Sequence, residues 1–551
     1  MRIRRTPTFE QSAETGVLAS LTLDQLVRNI LRRNMHGVFA ADPPNLGEIC
    51  GYEPRTVLWS EAERHIEGAA QALRGMGLRQ GDIVAVRMPN SVDQLLTLCA
   101  IWRAGLVACP IPLTWRRREW VNALSLTAPK ALITMTQIGN EDTAEVARQM
   151  AAKQFSIRFV GAFGDDAPDG VLPLKPLIEE FTDIDAELTK EAQLDIDRGE
   201  DVAVIHVMET DAGITAIPRS HASLMACALP LVTKIDLTQT DRILNTMMQG
   251  HLSGLVTGLV ASLLSGASLH LHHPVSAKVL DEQARTLMPT VTIGPITLLN
   301  DLVSAGSVSS SSRLVGINAF GRNRVPANLR DRRKFETIVS VGDLALLDGY
   351  TSETGDVLLA IGDHRINDAN PGSPTVLSLI EPKKSPDDAG AERGSDVILA
   401  VRGGAAPDGP WLGPTQTFGN SGATAEAPSD MTILPLRFER VGSSQVKITS
   451  ISPGLAAIGG LLLDIRALDR AFSRISGAEA AAVASTGEAL AVGVVPSGTR
   501  AVEPDDIRSS LSDLSIADHK IPDQIASFVA LPRRADGGID REIILKKAAN
   551  G

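Results

Sequence analysis

Aromatic residues are scarce, at 3% of the chain, so a platform of rings on which nucleic-acid bases could stack is not expected. A basic excess is missing as well. The formal net charge is -12, whereas a nucleic-acid binder presents a basic face. Cysteine is limited to Cys50, Cys99, Cys109 and Cys227, scattered without the spacing of a metal site or a disulfide framework. They read as reduced core thiols of a cytoplasmic protein. No segment reads as a membrane span. The longest apolar run, residues 254–271, is interrupted by Ser, Thr, Gly and His and reads as a buried helix and strand. The opening MRIRRTPTF is basic, but no apolar stretch follows it, so no signal peptide is expected.

What is present describes a large globular protein. The 551 residues, 44% hydrophobic and 21% charged, are too many for one core, so two or more domains are expected. LTLDQLVRNILRRN and SEAERHIEGAAQALRGMGL carry apolar residues at helical spacing. GDIVAVRM, LVACPIP and PKALITM read as strands, with PNSVDQLLTLCAIWRAG as a helix between the first two. This alternation implies a parallel, helix-covered sheet. A second round starts at Asp201. Beyond it, RLVGINAFG, FETIVSVG, LALLDGY and DVLLAIG read as short strands, and residues from about 365 to 435 as loops between short strands. The last hundred or so residues alternate helix and strand on their own, with PDDIRSSLSDL as one helix. The expectation is an α/β fold: a large N-terminal domain of parallel and mixed sheets with helices, and a small α+β C-terminal domain.

One stretch organises the rest. DVAVIHVMETDAGITAIPRSHASL, from Asp201 to Leu224, reads as a buried strand, a turn-rich loop and a helix capped by Ser220. Such a junction gathers backbone N–H groups at a helix N-terminus and suits a phosphate. Yet the loop has one glycine, Gly213, two acids, Glu209 and Asp211, and no lysine.

The order of these pieces, and several strings, resembles the acyl-adenylate-forming superfamily of acyl-CoA synthetases, fatty acyl-AMP ligases, luciferases and adenylation domains. GLRQGDIVAVRMPNSVDQLLTLCAIWRAGLVACPI is similar to the stretch ending A-x-x-R-A-G-x-V-x-x-P. MMQGHLSGLVTGLVASLLSGASLHL is similar to P-L-F-H-x-x-G and its helix, and LLDGYTSETG to Y-G-x-T-E. HKIPDQIASFVALPRRADGGIDREIILKKA is similar to the C-terminal Y-K-x-P…L-P-R-T-x-x-G-K-I-D-R. The resemblance implies domains of about 1–445 and 446–551, the first with subdomains of about 1–200, 201–345 and 346–445. It also implies ATP, Mg and a carboxylic acid as the ligands of an active member, with CoA as the usual acceptor.

The sites implied by the resemblance are incomplete. The phosphate loop T-S-G-T-T-G-x-P-K-G falls on Met208–Ala216. There Gly213 remains, and Glu209 and Asp211 would each repel phosphate by about 1 kcal/mol in solvent and by more if buried. Tyr350 falls on the residue that stacks on adenine, Ser352 within the same motif, and Glu353 on the acid that holds Mg. The alternative for this string is a turn with a solvated glutamate. His251 and Gly254 fall beside the acyl pocket, although a helix-start histidine satisfied by its neighbours fits equally. A ribose-binding T-G-D string is missing between 400 and 440, and Arg440 and Lys447 match the hinge pair only with the spacing off by one. The C-terminal lysine that stabilises charge in adenylation falls on Gly538, which has no donor. HLHH, with His270, His272 and His273, reads as a strand and its exit rather than a metal site, and WRRREW as a charged helix start.

These departures point to a ligase-like pseudoenzyme. It would keep the fold to bind an acyl ligand, CoA or a protein partner, with adenylation lost or strongly impaired. The alternative is an active AMP-forming acyl or aryl acid ligase with a divergent site.

Overall fold

A computed structural model describes residues 20–182, 199–210, 213–321, 323–382, 396–409, 431–452, 454–458, 460–473, 477–485, 489–498, 502, 517–534 and 537–549. The helix expected at 504–514 lies outside them, as does Asp211. The chain divides into two units. The first takes residues 1–111, 127–206 and 216–449; the second takes 112–126, 207–215 and 450–551.

The first unit is mixed α/β, with large sheets covered by helices. One sheet has the strand order Leu172–Pro173, Phe159–Phe163, Ala131–Met135, Ile83–Arg87, Val107–Pro110, Val202–Thr210, Gly213–Ser220. Its central strands Ile83–Arg87, Val107–Pro110 and Ala131–Met135 are parallel and buried at every residue. Strands covered on both faces need such continuous apolar sequence rather than alternation. The helix Val92–Arg103 is likewise buried along almost its whole length, and Ser91 caps it by accepting from the Gln94 N–H at 3.2 Å. Thr22 and Gln25 close a reciprocal capping box on the helix Leu23–Asn34, which buries Leu23 and Val27.

The stretch after Asp201 differs from its sequence reading. The expected loop ETDAGITA is mostly strand: Val202–Thr210 continues to the turn, and Gly213–Ser220 returns beside it. The returning strand is the sheet edge, where Pro218 costs no ladder hydrogen bond.

The other large sheet has twelve strands. Val38–Ala41, Ser268–Leu271, Arg242–Asn245, Val291–Pro295, Arg313–Ala319 and Phe335–Val341 form its parallel centre. Antiparallel strands, starting with Ala345–Thr351, extend it on one side. A four-stranded sheet from Gly362–Arg365 to Thr432–Ile433 follows in sequence.

The second unit is α+β. Ala478–Ser485, Leu490–Pro496 and Gln524–Ser527 form a three-stranded sheet. Leu468 and Phe472 of one helix pack on one side of it, and Ile544 and Ala548 of another pack against its alanines. The four cysteines are free thiols, and no helix among the described residues is long and apolar enough to cross a membrane.

Arg103 ties the first unit together near the chain start. Its buried guanidinium meets Asp24 at 2.5 Å, Glu63 at 2.8 Å and Glu67 at 3.1 Å. Truncating a buried ion of this kind costs about 3–5 kcal/mol. Because the acids are partly exposed, Arg103→Met is expected to lower unfolding stability in urea by about 2–4 kcal/mol. A loss below about 1 kcal/mol would show that the cluster is ornamental to folding.

Candidate functional site

In an open parallel sheet, ligands gather at the carboxyl ends of the strands. Two segments of the first unit leave the twelve-stranded sheet at such ends and meet. Arg242–Asn245 leads through residues 246–250 to His251, the N-cap residue of the helix that starts at Leu252. Phe335–Val341 leads through Gly342, at φ +55°, to Asp343. The Asp343 carboxylate accepts from the Leu252 N–H at 2.7 Å and lies 3.2 Å from His251 Nδ1. It therefore caps a helix start that has no side-chain cap of its own. An ionised carboxylate only accepts, so Nδ1 carries the proton and Nε2 is left for other work.

The electrostatics follow from burial and pairing. Burial pulls the His251 imidazole down, but the Asp343 charge and hydrogen bond outweigh it and hold the pKa above its ordinary value. Burial alone would push Asp343 up; the His251 charge and hydrogen bond, with smaller help from His206 and Leu252, bring it down to about 2. His206, fully buried on the strand Val202–Thr210, is lowered by burial to about 4 and stays neutral near pH 7. The loop before His251 is pinned by Asn90, which donates to Met247 O and His272 O and accepts from Gln249 N. Gly254 is required by space: a Cβ there would lie 2.0 Å from Met248 O. The arrangement presents an oriented imidazole, readily protonated and 24% exposed, beyond the carboxyl end of a parallel strand. It can bind a carboxylate or move a proton.

The structure does not bring the other sequence candidates of this unit to His251. Ala345–Thr351 runs back along its neighbour, pairing Val341 with Ala345 and Thr337 with Gly349. Tyr350 is thus carried roughly 17 Å along the strand from Ala345, to the opposite end of the sheet, where it is 41% exposed. Ser352 is occupied in the following turn: its hydroxyl accepts from Asp356 N at 3.0 Å and contacts Thr354 Oγ1 at 2.9 Å. Glu353 is exposed, and its backbone carbonyl accepts from Arg330. Lys447 pairs with Asp356 at 3.0 Å, and Arg440 with Glu381. His272 Nδ1 lies 3.0 Å from Gln283 Oε1, while His270 Nε2 faces the Ser268 hydroxyl. No cluster able to hold a metal occurs among the described residues.

Asp343, His206 and Arg219 were not reached from sequence. The available signal was positional: Asp343 stands one glycine beyond the apolar strand FETIVSV, at the end where such sheets place their sites.

A cavity of about 900 Å³ lies at the amino ends of the parallel strands, lined in part by Arg242, Arg285 and Arg313. These arginines answer helix carboxyl ends. Arg242 donates to Met288 O at 2.8 Å, Arg285 to Ala305 O at 2.7 Å, and Arg313 to Ile235 O at 2.5 Å. They finish helices, while Arg333 and Lys334 line the same cavity.

In the second unit, Glu209 and Gly213 belong to the strand pair that replaces the expected loop. Gly213, at φ +97°, takes a conformation that glycine favours, and its carbonyl accepts from the Thr210 hydroxyl at 3.1 Å. Thr210 also contacts Thr215 at 2.9 Å. Glu209 pairs with Lys520, which also meets Glu119 at 2.7 Å. All three side chains are at most 10% exposed. Burial raises the Glu209 pKa, and the Lys520 charge and hydrogen bond only partly counter it. A cavity of about 100 Å³ borders the triad. Gly538 sits in a tight turn where its carbonyl accepts from Arg534 N at 2.8 Å.

The AMP-binding enzyme family model matches residues 39–350, more than half of the chain. The chain belongs to the AMP-binding enzyme family. It is 26% identical over 206 residues to a probable CoA ligase from Humulus lupulus, a match covering 37% of each protein. It is 22% identical over 521 residues to the 2-hydroxy-7-methoxy-5-methyl-1-naphthoate–CoA ligase of Streptomyces carzinostaticus, covering 90% of this chain and 89% of that one. The match spans only 38% of the length of an oxalate–CoA ligase from Arabidopsis thaliana. Among solved structures, an amide bond synthetase from Marinactinospora thermotolerans aligns with TM-score 0.68 at 15% identity, over 96% of this chain and 99% of that one. The o-succinylbenzoate CoA synthetase of Bacillus subtilis aligns with TM-score 0.65 at 13% identity, over 95% and 98%. At these identities the structures establish the shared fold.

Asp343→Asn separates burial from pairing at His251. The His251 titration midpoint, followed by NMR, is expected to fall from above the ordinary imidazole value to below it, because burial is then unopposed. The raised His251 value stabilises the fold fully below about pH 6.5 and is lost as pH rises through it; the lowered Asp343 value stabilises above about pH 4 and is lost as pH falls. The wild type's stability advantage over the variant is therefore widest between those limits. An unchanged His251 midpoint would contradict the pairing.

Proposed function

We propose that this chain is an acyl-CoA ligase-like member of its family that binds a carboxylic acid beside His251 and Asp343, with its adenylation step lost or strongly weakened. It acts as a binding or complex-forming homologue rather than as a working ligase. The observation that carries this reading is Glu209. The family places a phosphate-wrapping loop in this stretch. Here a strand pair stands instead, with a buried carboxylate already paired to Lys520. Glu119 and Glu209 already engage the Lys520 ammonium, which is then not available to neutralise a polyphosphate. Gly538, in place of the family lysine, offers no side-chain donor to a developing negative charge. The acid side of the site keeps its machinery: an oriented imidazole that holds its proton well and can pair with a carboxylate. CoA, a free acyl ligand or a protein partner are the ligands this reading allows. Tyr350, Ser352 and Glu353 remain candidates for residual nucleotide and Mg contacts at the other end of the sheet, apart from His251.

The second reading is an active AMP-forming acyl or aryl acid ligase with a divergent site. It is favoured by the full-length similarity to a CoA ligase. Pyrophosphate release from ATP-Mg across a panel of aliphatic and aryl acids separates the two. The expected result is no release above the protein-free rate with any acid. Turnover at about 1 s⁻¹ or faster, the low end of ordinary enzyme rates, would establish the active ligase instead.

A further inference from the structure

Arg219 lies next to the end of the strand Gly213–Ser220 and is fully buried. A buried guanidinium is ordinarily matched by a carboxylate. This one has none among its hydrogen-bond partners in the described residues. Nη1 donates to Ala405 O at 2.6 Å and Ser223 Oγ at 3.3 Å, and faces Cys227 Sγ at 3.7 Å. Nη2 donates to Leu344 O at 2.6 Å and Asp343 O at 3.2 Å. The guanidinium fork therefore grips the backbone of the turn that carries Asp343.

That turn is short. Gly342 takes φ +55°, and Leu344 N closes back on Val341 O at 3.1 Å. With the carbonyls of Asp343 and Leu344 pinned from one side, the direction in which the Asp343 side chain leaves the backbone is set. The carboxylate then reaches Leu252 N and His251 Nδ1 with its two oxygens. A lysine, with a single nitrogen head, cannot span Ala405 O and the two turn carbonyls as the planar fork does.

We propose that Arg219 is a positioning residue: its hold on the Asp343–Leu344 backbone aims the Asp343 carboxylate at His251 and so sets the proton affinity of that imidazole. The role of this imidazole in holding an acid is the reading given above. The test needs no ligand, so its failure and the failure of that reading are distinguishable. The titratable groups that act on His251 are Asp343 and, across from it on the strand Val202–Thr210, His206. Their signs make the experiment decisive. Deleting a positive charge, by itself, makes nearby imidazoles easier to protonate. Displacing Asp343 makes His251 harder to protonate. Charge loss and mispositioning thus move His251 in opposite directions.

The experiment is NMR titration of histidine-labelled full-length protein, with His251 assigned through His251→Gln. In Arg219→Met the His251 midpoint is expected to fall by more than one pH unit. In Arg219→Lys, which keeps the charge and loses the fork, it is expected to fall by a smaller but measurable amount. Ser223→Ala removes an Arg219 contact that does not touch the turn and is expected to leave the midpoint where it is. If Arg219→Met does not fold, the lysine variant carries the test alone. An unchanged or raised midpoint in whichever of the two folds overturns the proposal, even if the protein has become less stable. So does a fall in Ser223→Ala equal to that in the arginine variants.

Discussion

The Asp343 carboxylate is the constraint on which the site depends. It is 4% exposed, yet it is charged, and both oxygens are committed: one to a helix N-terminus that has no cap of its own, the other to an imidazole. A buried carboxylate persists only when its acceptors are met. The carboxyl ends of two parallel strands are brought together by the same contact. The helix start, the orientation of His251 and the proton affinity of that ring are three consequences of one placement. The bulk of the first unit, with its buried parallel strands, supplies the rigidity that keeps the placement fixed.

Three buried cations illustrate how differently this chain handles charge. Arg103 meets three acids and joins the first helix to two others. Lys520 meets two acids and joins parts of the second unit 401 and 311 residues apart in sequence. Arg219 meets carbonyls, a hydroxyl and a thiol and grips a turn. Breaking the first takes a cation from three partly exposed acids and breaking the second takes one from two buried acids, which is a matter of stability. Disturbing the third unpairs no such acid and instead shifts the carboxylate beside His251.

The sequence discloses the architecture more readily than the site. Strings such as GDIVAVRM and PKALITM are read as strands because continuous apolar runs fit a sheet covered on both faces, and the helix that follows the first is capped by Ser91. The strand Gly213–Ser220 is obscured by Pro218 and by the turn-forming look of TDAG; its strand character comes from a sheet edge that no local pattern announces. His251 is visible through its surroundings in QGHLSG. Asp343 hides in a four-residue turn, and its meaning depends on a partner 92 residues away. Glu209 is visible as an acid in an unexpected place, but the lysine that pairs with it is 311 residues further on. Long-range pairing of this kind leaves no periodicity to read.

The reading proposed for this chain is that acid binding beside His251 survives while nucleotide contacts contribute little. Calorimetric comparison of a carboxylic acid with its acyl-sulfamoyl adenosine, a stable mimic of the acyl-adenylate, addresses it most directly. The account predicts that attaching the adenosine improves affinity by less than about tenfold, or about 1.4 kcal/mol. A gain of about a thousandfold or more, about 4 kcal/mol, would mean that the protein still embraces the whole adenylate and would contradict the account.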